Sequence, residues 1–419
     1  MKVAVISASF FPSVDGVSVA LYHRAKVLSE RGHQVLIACP DYQAIEAVYP
    51  NWREYQGEIF SGVQVVSLPS SPFLDGILDV GAEQNMNRQA ARPLQQALAD
   101  FAPDLIHVDE PDRIFLGLVK RPGLSYARAQ GIPCLAFYHT NFIDYIEDYI
   151  EPGWRLRSQL ISLLQSLSKL YMKFVFNAYD ATLVGAPVTQ QRLQQIGIQN
   201  MVCDRYLGVD LDAFTPALTE PDFFQSHYTC EVGPDDIVLT FLGRLTPDKG
   251  WRFTLRAFMD WVAQPENADL RDLVVLMIAG QGELQDAIEQ GLTELGLRVC
   301  MLGQVPHDVV PALLTNSDIH VTASEKETLG LTILEAFAAG TPVIAPKAGG
   351  VVTLIREGDT GLLFRPGDVE SFGEVLSRLV RNGAKRRRMG QNGKRSVEDY
   401  GQGAVVDNLL DTWQKYISD

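Results

Sequence analysis

Long apolar runs are missing from this chain of 419 residues: no stretch of about 18 apolar residues occurs, so nothing reads as a membrane span. Cysteine is sparse. Cys39, Cys134, Cys203, Cys230 and Cys300 are scattered, with no C-x-x-C and no histidine at metal-ligand spacing, and read as small core residues of a reducing compartment rather than a metal site. Positive charge is outnumbered, 36 Lys and Arg against 51 Asp and Glu, for a formal net charge of -15. That balance argues against general binding to nucleic acid or to an anionic membrane, although a local basic patch can still dock. Repeats and low-complexity segments are lacking too. The opening run 2–7 is too short, and too soon followed by Pro12 and Asp15, to read as a signal peptide, so a cytoplasmic or peripheral protein is expected.

What is present is ample core material, 46% apolar, and length for two or three domains at roughly 100–200 residues each. Short apolar runs at 3–7, 35–39, 63–68, 105–108, 134–138 and 181–184 alternate with amphipathic stretches such as 17–30. Runs of that length and character suit strands buried on both faces of a parallel sheet, and β–α alternation builds a doubly wound α/β fold. The pattern pauses near Gly208-Val-Asp210, and the Pro-, Asp- and Thr-rich segment 215–236 reads as a link between domains. The rhythm restarts at 237–243, 273–279, 299–302, 319–322 and 342–345. The division is an N-terminal Rossmann-like domain over 1–207, a C-terminal one over 208–400, and a last helix over 401–419 that can cross back to the first. Ligands of such sheets bind at the C-terminal ends of the strands, here expected in a cleft faced by both domains.

The chemistry concentrates in the second half. Ser324-Glu-Lys-Glu327-Thr-Leu-Gly330-Leu331-Thr-Ile-Leu-Glu335 follows a strand and opens a helix. Gly330 permits close backbone approach, and a helix tip with free amides attracts phosphate. Eight residues of helix would set Glu327 and Glu335 ~12 Å apart along the axis, about the reach from a sugar across a diphosphate to a ribose. A surface helix with two solvated glutamates is the plainer alternative. Phe241-Leu-Gly-Arg244-Leu-Thr-Pro-Asp-Lys249-Gly-Trp251 ends another strand with two cations that can take up the charge growing on a diphosphate leaving group, in place of a metal. A solvated basic loop is the alternative there. Gly280-Gln-Gly282 alone is only a turn signal. In the first half, Phe11-Pro-Ser-Val-Asp-Gly16 is not a G-x-G-x-x-G, which argues against an NAD enzyme. Tyr138-His139-Thr140-Asn141 ends a strand; His107 reads as structural and His33 as part of a helix-to-strand turn.

Together these motifs, spread over most of the chain, resemble the retaining glycosyltransferases of the GT-B fold that carry the E-x7-E signature, the family-four group. The chain departs from the pattern at Leu329, where an aromatic is usual, and at Leu207, where a basic residue commonly precedes Gly-Val-Asp. The first departure resembles the glycolipid-forming branch, including sulfoquinovosyl-diacylglycerol synthases. The resemblance implies catalytic roles for His139, Arg244, Lys249 and Glu327, donor binding by Gly16, Gly330, Leu331 and Glu335, a UDP-sugar as donor substrate, and no metal or other cofactor. It implies in particular that Arg244 and Lys249 hold the diphosphate, Glu327 and His139 the sugar, and Glu335 the ribose. Front-face displacement is then favoured over two inversions, which would need a carboxylate nucleophile.

The acceptor is read from 154–176, which carries Arg155, Arg157, Lys169 and Lys173 and no acid, with Leu160, Leu163, Leu164, Leu167, Tyr171 and Phe174 at helical spacing. Such a helix can lie in an anionic membrane interface or be a buried helix with solvated cations. Since 139–149 also resembles the glycolipid synthases, a diacylglycerol-based acceptor is expected, receiving α-linked galactose or sulfoquinovose. A soluble sugar or polysaccharide acceptor, a nucleotide-sugar 2-epimerase and a non-catalytic sensor are the competing readings. No nucleic-acid partner is expected. Lys385-Arg-Arg-Arg388 reads as a solvated helix face.

Overall fold

A computed structural model describes residues 1–72, 84–145, 147 and 157–418. The chain divides into two compact units, Met1–Gly208 together with Gln402–Asp419, and Val209–Gly401.

The strands of the first unit are β1 (Lys2–Ser7), β2 (Gln34–Pro40), β3 (Gly57–Phe60), β4 (Val63–Leu68), β5 (Ser70–Pro72), β6 (Gln84–Met86), β7 (Leu105–Asp109), β8 (Cys134–Phe137), β9 (Ala181–Val184) and β10 (Met201–Cys203). Eight of them form one sheet in the order β10-β9-β8-β7-β1-β2-β4-β3, parallel except for the antiparallel edge pair β3–β4. β5 and β6 pair apart from it. Side chains alternate across a sheet, and β7, β8 and β9 are buried at every position, so both faces are covered. The apolar runs of the sequence are these strands. The short edge elements β3, β5, β6 and β10 escaped the sequence reading because they are brief and half-polar.

The second unit holds β11 (Ile237–Leu242), β12 (Val274–Ala279), β13 (Arg298–Gly303), β14 (Ile319–Val321), β15 (Val343–Pro346) and β16 (Gly361–Phe364). They form an all-parallel sheet, β13-β12-β11-β14-β15-β16. Trp261, Phe258, Phe364 and Phe372 fill its core, each under 1% exposed. Both units are thus Rossmann-like.

Three sequence expectations need correction. Residues 215–236 are no link: they lie inside the second unit, where Phe223 and Phe224 are buried and Asn316 accepts from the Glu220 amide at 2.8 Å and donates to the Leu218 carbonyl at 2.8 Å. Polar composition mimics a linker when the apolar anchors are few. Arg386 of the basic run is not merely solvated, since its Nη1 donates to the Leu379 and Val380 carbonyls at 2.7 Å, closing the preceding helix. And the helix Arg157–Phe176 is not a buried helix: Leu163, Leu167, Leu170 and Phe174 are exposed while Met172, Val175 and Phe176 are buried. Trp154 and Arg155 lie outside the described residues.

The helix Gln402–Ser418 packs in the first unit. Val405, Val406, Leu409 and Trp413 are buried there, Tyr206 Oη meets Thr412 Oγ1 at 2.9 Å, and Gln402 donates to the Gly208 carbonyl at 2.9 Å.

Candidate active site

In each sheet the strand order reverses once, between β1 and β7 in the first unit and between β11 and β14 in the second. Neighbouring connections leave toward opposite faces of the sheet at such a point, so a crevice forms beyond the strand ends where backbone can meet a ligand.

In the second unit those are the loops after β11, residues 243–250, and after β14, residues 322–330. The first carries Arg244 and Lys249, the second Glu327 and Gly330. The two loops are knit together. Lys249 Nζ donates to Glu327 Oε1 at 2.7 Å, and Ser324 Oγ donates to the Asp248 carbonyl at 3.4 Å. Gly250 has φ +78°, and a Cβ there would fall 2.3 Å from the Ala323 carbonyl oxygen, so a side chain would force the loops apart. Gly350, past β15, plays the same part against the other side: its amide bonds the Glu327 carbonyl at 2.7 Å, and a Cβ would meet the Thr328 oxygen at 1.9 Å.

Two helices begin at these loops, Trp251–Ala263 behind Gly250 and Leu331–Ala339 behind Gly330, and no side chain caps either one. Their first-turn amides and dipoles present partial positive charge beside two cations, the set of groups that binds a diphosphate. Arg244 Nη2 lies 3.3 Å from Asp248 Oδ2. Burial would raise the Glu327 pKa, but the Lys249 charge and hydrogen bonds from Lys249 and Ser324 outweigh it and hold the carboxyl below its ordinary range. Glu327 is therefore an acceptor at neutral pH, suited to sugar hydroxyls.

Leu331 is half-buried in the first turn of its helix. Glu335, one turn on, is 9% exposed and accepts from His307 Nε2 at 3.1 Å. His307 carried no sequence signal beyond standing after β13. The premise of the ~12 Å helical estimate between Glu327 and Glu335 does not hold, because the helix starts only at Leu331 and residues 327–330 are irregular. Near Arg244, the Leu245 amide donates to the Gln281 carbonyl at 2.8 Å and the Leu284 amide to the Leu245 carbonyl at 3.0 Å. The Gly280-Gln-Gly282 turn is thus a buttress for the cation loop.

In the first unit, Gly16 is exposed at the start of the helix Gly16–Glu30. Asp15 caps that helix, its Oδ1 accepting from the Val17 and Ser18 amides at 2.8 Å, so these two amides are already taken. His139 follows β8, 8% exposed, with Nε2 at 2.7 Å from Asp109 Oδ1. Asp109, the last residue of β7, and Glu110 after it were not singled out in the sequence; an Asp-Glu-Pro at the end of a buried strand was the available signal. Glu110 is buried with a left-handed backbone, φ +53°, a strained setting for a non-glycine residue. It accepts from Thr140 Oγ1, and burial above all pushes its pKa up despite Arg113, His139 and Thr140.

Against known proteins, residues 14–213 match the family described as Glycosyltransferase Family 4 and residues 231–396 the one described as Glycosyl transferases group 1. The chain is 28% identical over 322 residues to the sulfoquinovosyl transferase SQD2 of Arabidopsis thaliana, covering 74% of this chain and 56% of that protein, little more than half its length. It is 28% identical over 414 residues to a GDP-mannose-dependent alpha-mannosyltransferase of Mycolicibacterium smegmatis, covering 98% and 96%. With an alpha-monoglucosyldiacylglycerol synthase of Streptococcus pneumoniae the identity is 25% over 388 residues, 91% and 78%. Among solved structures, a sucrose-phosphate synthase of Thermosynechococcus elongatus shares the fold with a TM-score of 0.73 at 18% identity, over 100% of this chain and 99% of that one.

Proposed function

As the chain belongs to the GT-B glycosyltransferases of the family-four and group-one kind, we propose that it transfers a hexosyl residue from a nucleoside diphosphate sugar, with retention, to a hydroxyl of a diacylglycerol-based glycolipid at a membrane surface. The observation that carries the donor half is the meeting of Lys249, Arg244 and two uncapped helix tips in the second unit. These groups are preorganised for charge that develops on a departing diphosphate, and they need no metal to do it.

In the transfer, the bond from the anomeric carbon to the β-phosphate oxygen breaks as the acceptor oxygen forms its bond on the same face. The acceptor's proton passes to the departing phosphate. Arg244, Lys249 and the amides behind Gly250 and Gly330 hold the growing charge, Glu327 orients the sugar, and Glu335 with His307 receives the ribose. Front-face attack is supported by how the buried carboxylate Asp109 is spent: Oδ2 accepts from Arg24 and Oδ1 from His139, which leaves a poor nucleophile.

The acceptor half rests on the helix Arg157–Phe176. Leu163, Leu167, Leu170 and Phe174 are 56%, 53%, 67% and 55% exposed, at spacings of four, three and four residues, so they form one stripe. Leu116 and Val119 are also exposed, on and just after the helix Pro111–Leu118 that packs against this one, Lys169 and Lys173 rim the stripe, and the Arg121 guanidinium lies 3.8 Å over the Phe174 ring. An apolar stripe with cations around it, on a chain of net charge -15, suits an anionic bilayer interface. The name of the Streptococcus pneumoniae relative supports the same acceptor class.

The test is product formation from UDP- and GDP-hexoses with anionic vesicles containing diacylglycerol or monohexosyl-diacylglycerol, in the presence of a metal chelator, with the anomer read by NMR. An α-linked lipid product is expected, and Leu167→Ser with Leu170→Ser should abolish vesicle flotation. Transfer only to water-soluble sugars, with no flotation of the unaltered protein, refutes the lipid reading; a β-linked product from these donors refutes retention.

A further inference from the structure

Arg24, His107, Asp109, His139 and Trp413 are each under 9% exposed and form one polar file inside the first unit. Burying a guanidinium and a carboxylate costs several kcal/mol of solvation each, and apolar residues of similar volume would serve a core as well. The file therefore calls for an account beyond packing.

Its hydrogen bonds settle where the protons are. The indole N–H of Trp413 can only donate, and it stands 3.2 Å from His107 Nδ1. Nδ1 is then the bare nitrogen. Burial drives the His107 pKa down to about 4, with Asp109 opposing and Arg24 assisting, so the ring is neutral and its proton sits on Nε2. That N–H donates to Asp109 Oδ1 at 3.1 Å. Arg24 Nη1, 3.1 Å from the same nitrogen, cannot donate to it in this tautomer; the guanidinium is answered by Asp109 Oδ2, 2.6 Å from Nη2. Burial would raise the Asp109 pKa, but Arg24 and the two imidazoles hold it well below the usual carboxylate range. An ionised carboxylate only accepts, so the 2.7 Å contact from His139 is an Nε2–H donation.

We propose that Asp109 is a positioning residue that sets the ring and tautomer of His139, and that Trp413, on the last helix of the chain, secures Asp109 through His107. For its effect on turnover the inference rests on the sugar contact that the family resemblance implies for His139. It gives the helix Gln402–Ser418 a part in the file: the helix carries the donor that decides the first tautomer.

The experiment uses the full chain labelled with 15N-histidine. Trp413→Phe keeps an aromatic ring and removes one N–H; Asp109→Asn keeps the shape and removes the charge. In the unaltered protein both rings should report protonated Nε2. Trp413→Phe should give His107 a mixture of tautomers, shift the His139 nitrogens, and lower kcat on the order of tenfold, because small misplacements of a contact group are costly. KM for the donor should change by less than about twofold, the pattern of a lost transition-state interaction. Asp109→Asn should do the same more strongly; if it does not fold, Trp413→Phe decides alone. Unshifted His139 nitrogens in Trp413→Phe overturn the inference, whatever happens to kcat. Shifted nitrogens with unchanged kcat uphold the positioning and overturn instead the assignment of His139 to the sugar.

Discussion

Replacing Lys249 by methionine removes one charge and keeps most of the side chain's length. Nζ lies 2.7 Å from Glu327 Oε1, with the two side chains 25% and 23% exposed. The gross attraction at that spacing is about 6 kcal/mol at an effective dielectric of ~20. Desolvation of both groups cancels most of it, leaving a coupling on the order of 1–3 kcal/mol. Lys249→Met should lower the free energy of unfolding by about that amount, by the same reasoning, because it strands a half-buried carboxylate. Adding Glu327→Gln should restore most of the loss. Activity should not follow stability. If Lys249 answers the charge of a departing diphosphate, both Lys249→Met and the double variant lose on the order of 10²–10³ in kcat/KM. Urea unfolding gives the first quantity, and release of nucleoside diphosphate gives the second. A Lys249→Met enzyme within about threefold of normal kcat/KM, while its urea midpoint falls as expected, refutes the reasoning, since a transition-state contact of this kind is worth far more.

Gly250→Ala combines a positive φ with a Cβ 2.3 Å from the Ala323 carbonyl. It should abolish donor binding, read by nucleotide titration, with a fall in stability of at least about 1 kcal/mol; unchanged nucleotide affinity contradicts the role given to the paired loops. Glu335→Gln should raise KM for the donor on the order of tenfold with kcat nearly unchanged, as expected for uniform binding of the ribose, and a selective loss of kcat points to another role. His107 and His320 are both fully buried, and burial above all lowers each pKa to about 4 from an ordinary 6.5. The unfolded chain therefore takes up these protons first, and stability should fall as pH drops from 6.5 to 4, on the order of 3 kcal/mol per histidine, then flatten with respect to them. Urea midpoints across that window test this; a curve for His320→Gln as steep as that of the unaltered protein rules it out.

Much of the proposed donor site was legible because its signals are local. A Gly-Arg after a buried strand, Gly330 before a helix and Glu335 on it are stated by spacing and turn chemistry within a few residues. The companions of those residues were not. Asp109 and Glu110 end an apolar run, and the Asp-Glu-Pro there does not by itself say which side chains they meet; His307 and Gly350 come to the proposed site through loops far apart in the chain. The stripe on the helix Arg157–Phe176 was seen as apolar, but periodicity alone cannot say which way an apolar face points. Exposure of Leu163, Leu167, Leu170 and Phe174 decides that.

By itself the sequence determined the alternation of strands and helices, two sheets that must be covered on both faces, and the places where backbone turns tightly into a helix. These follow from hydrophobic period and residue chemistry, which act over a few positions. The tertiary structure alone decided that Lys249 meets Glu327, 78 residues away, and that Trp413 meets His107, 306 residues away. Such meetings depend on the order in which strands join a sheet and on where the last helix docks, outcomes of packing over the whole unit that no short stretch of chain encodes.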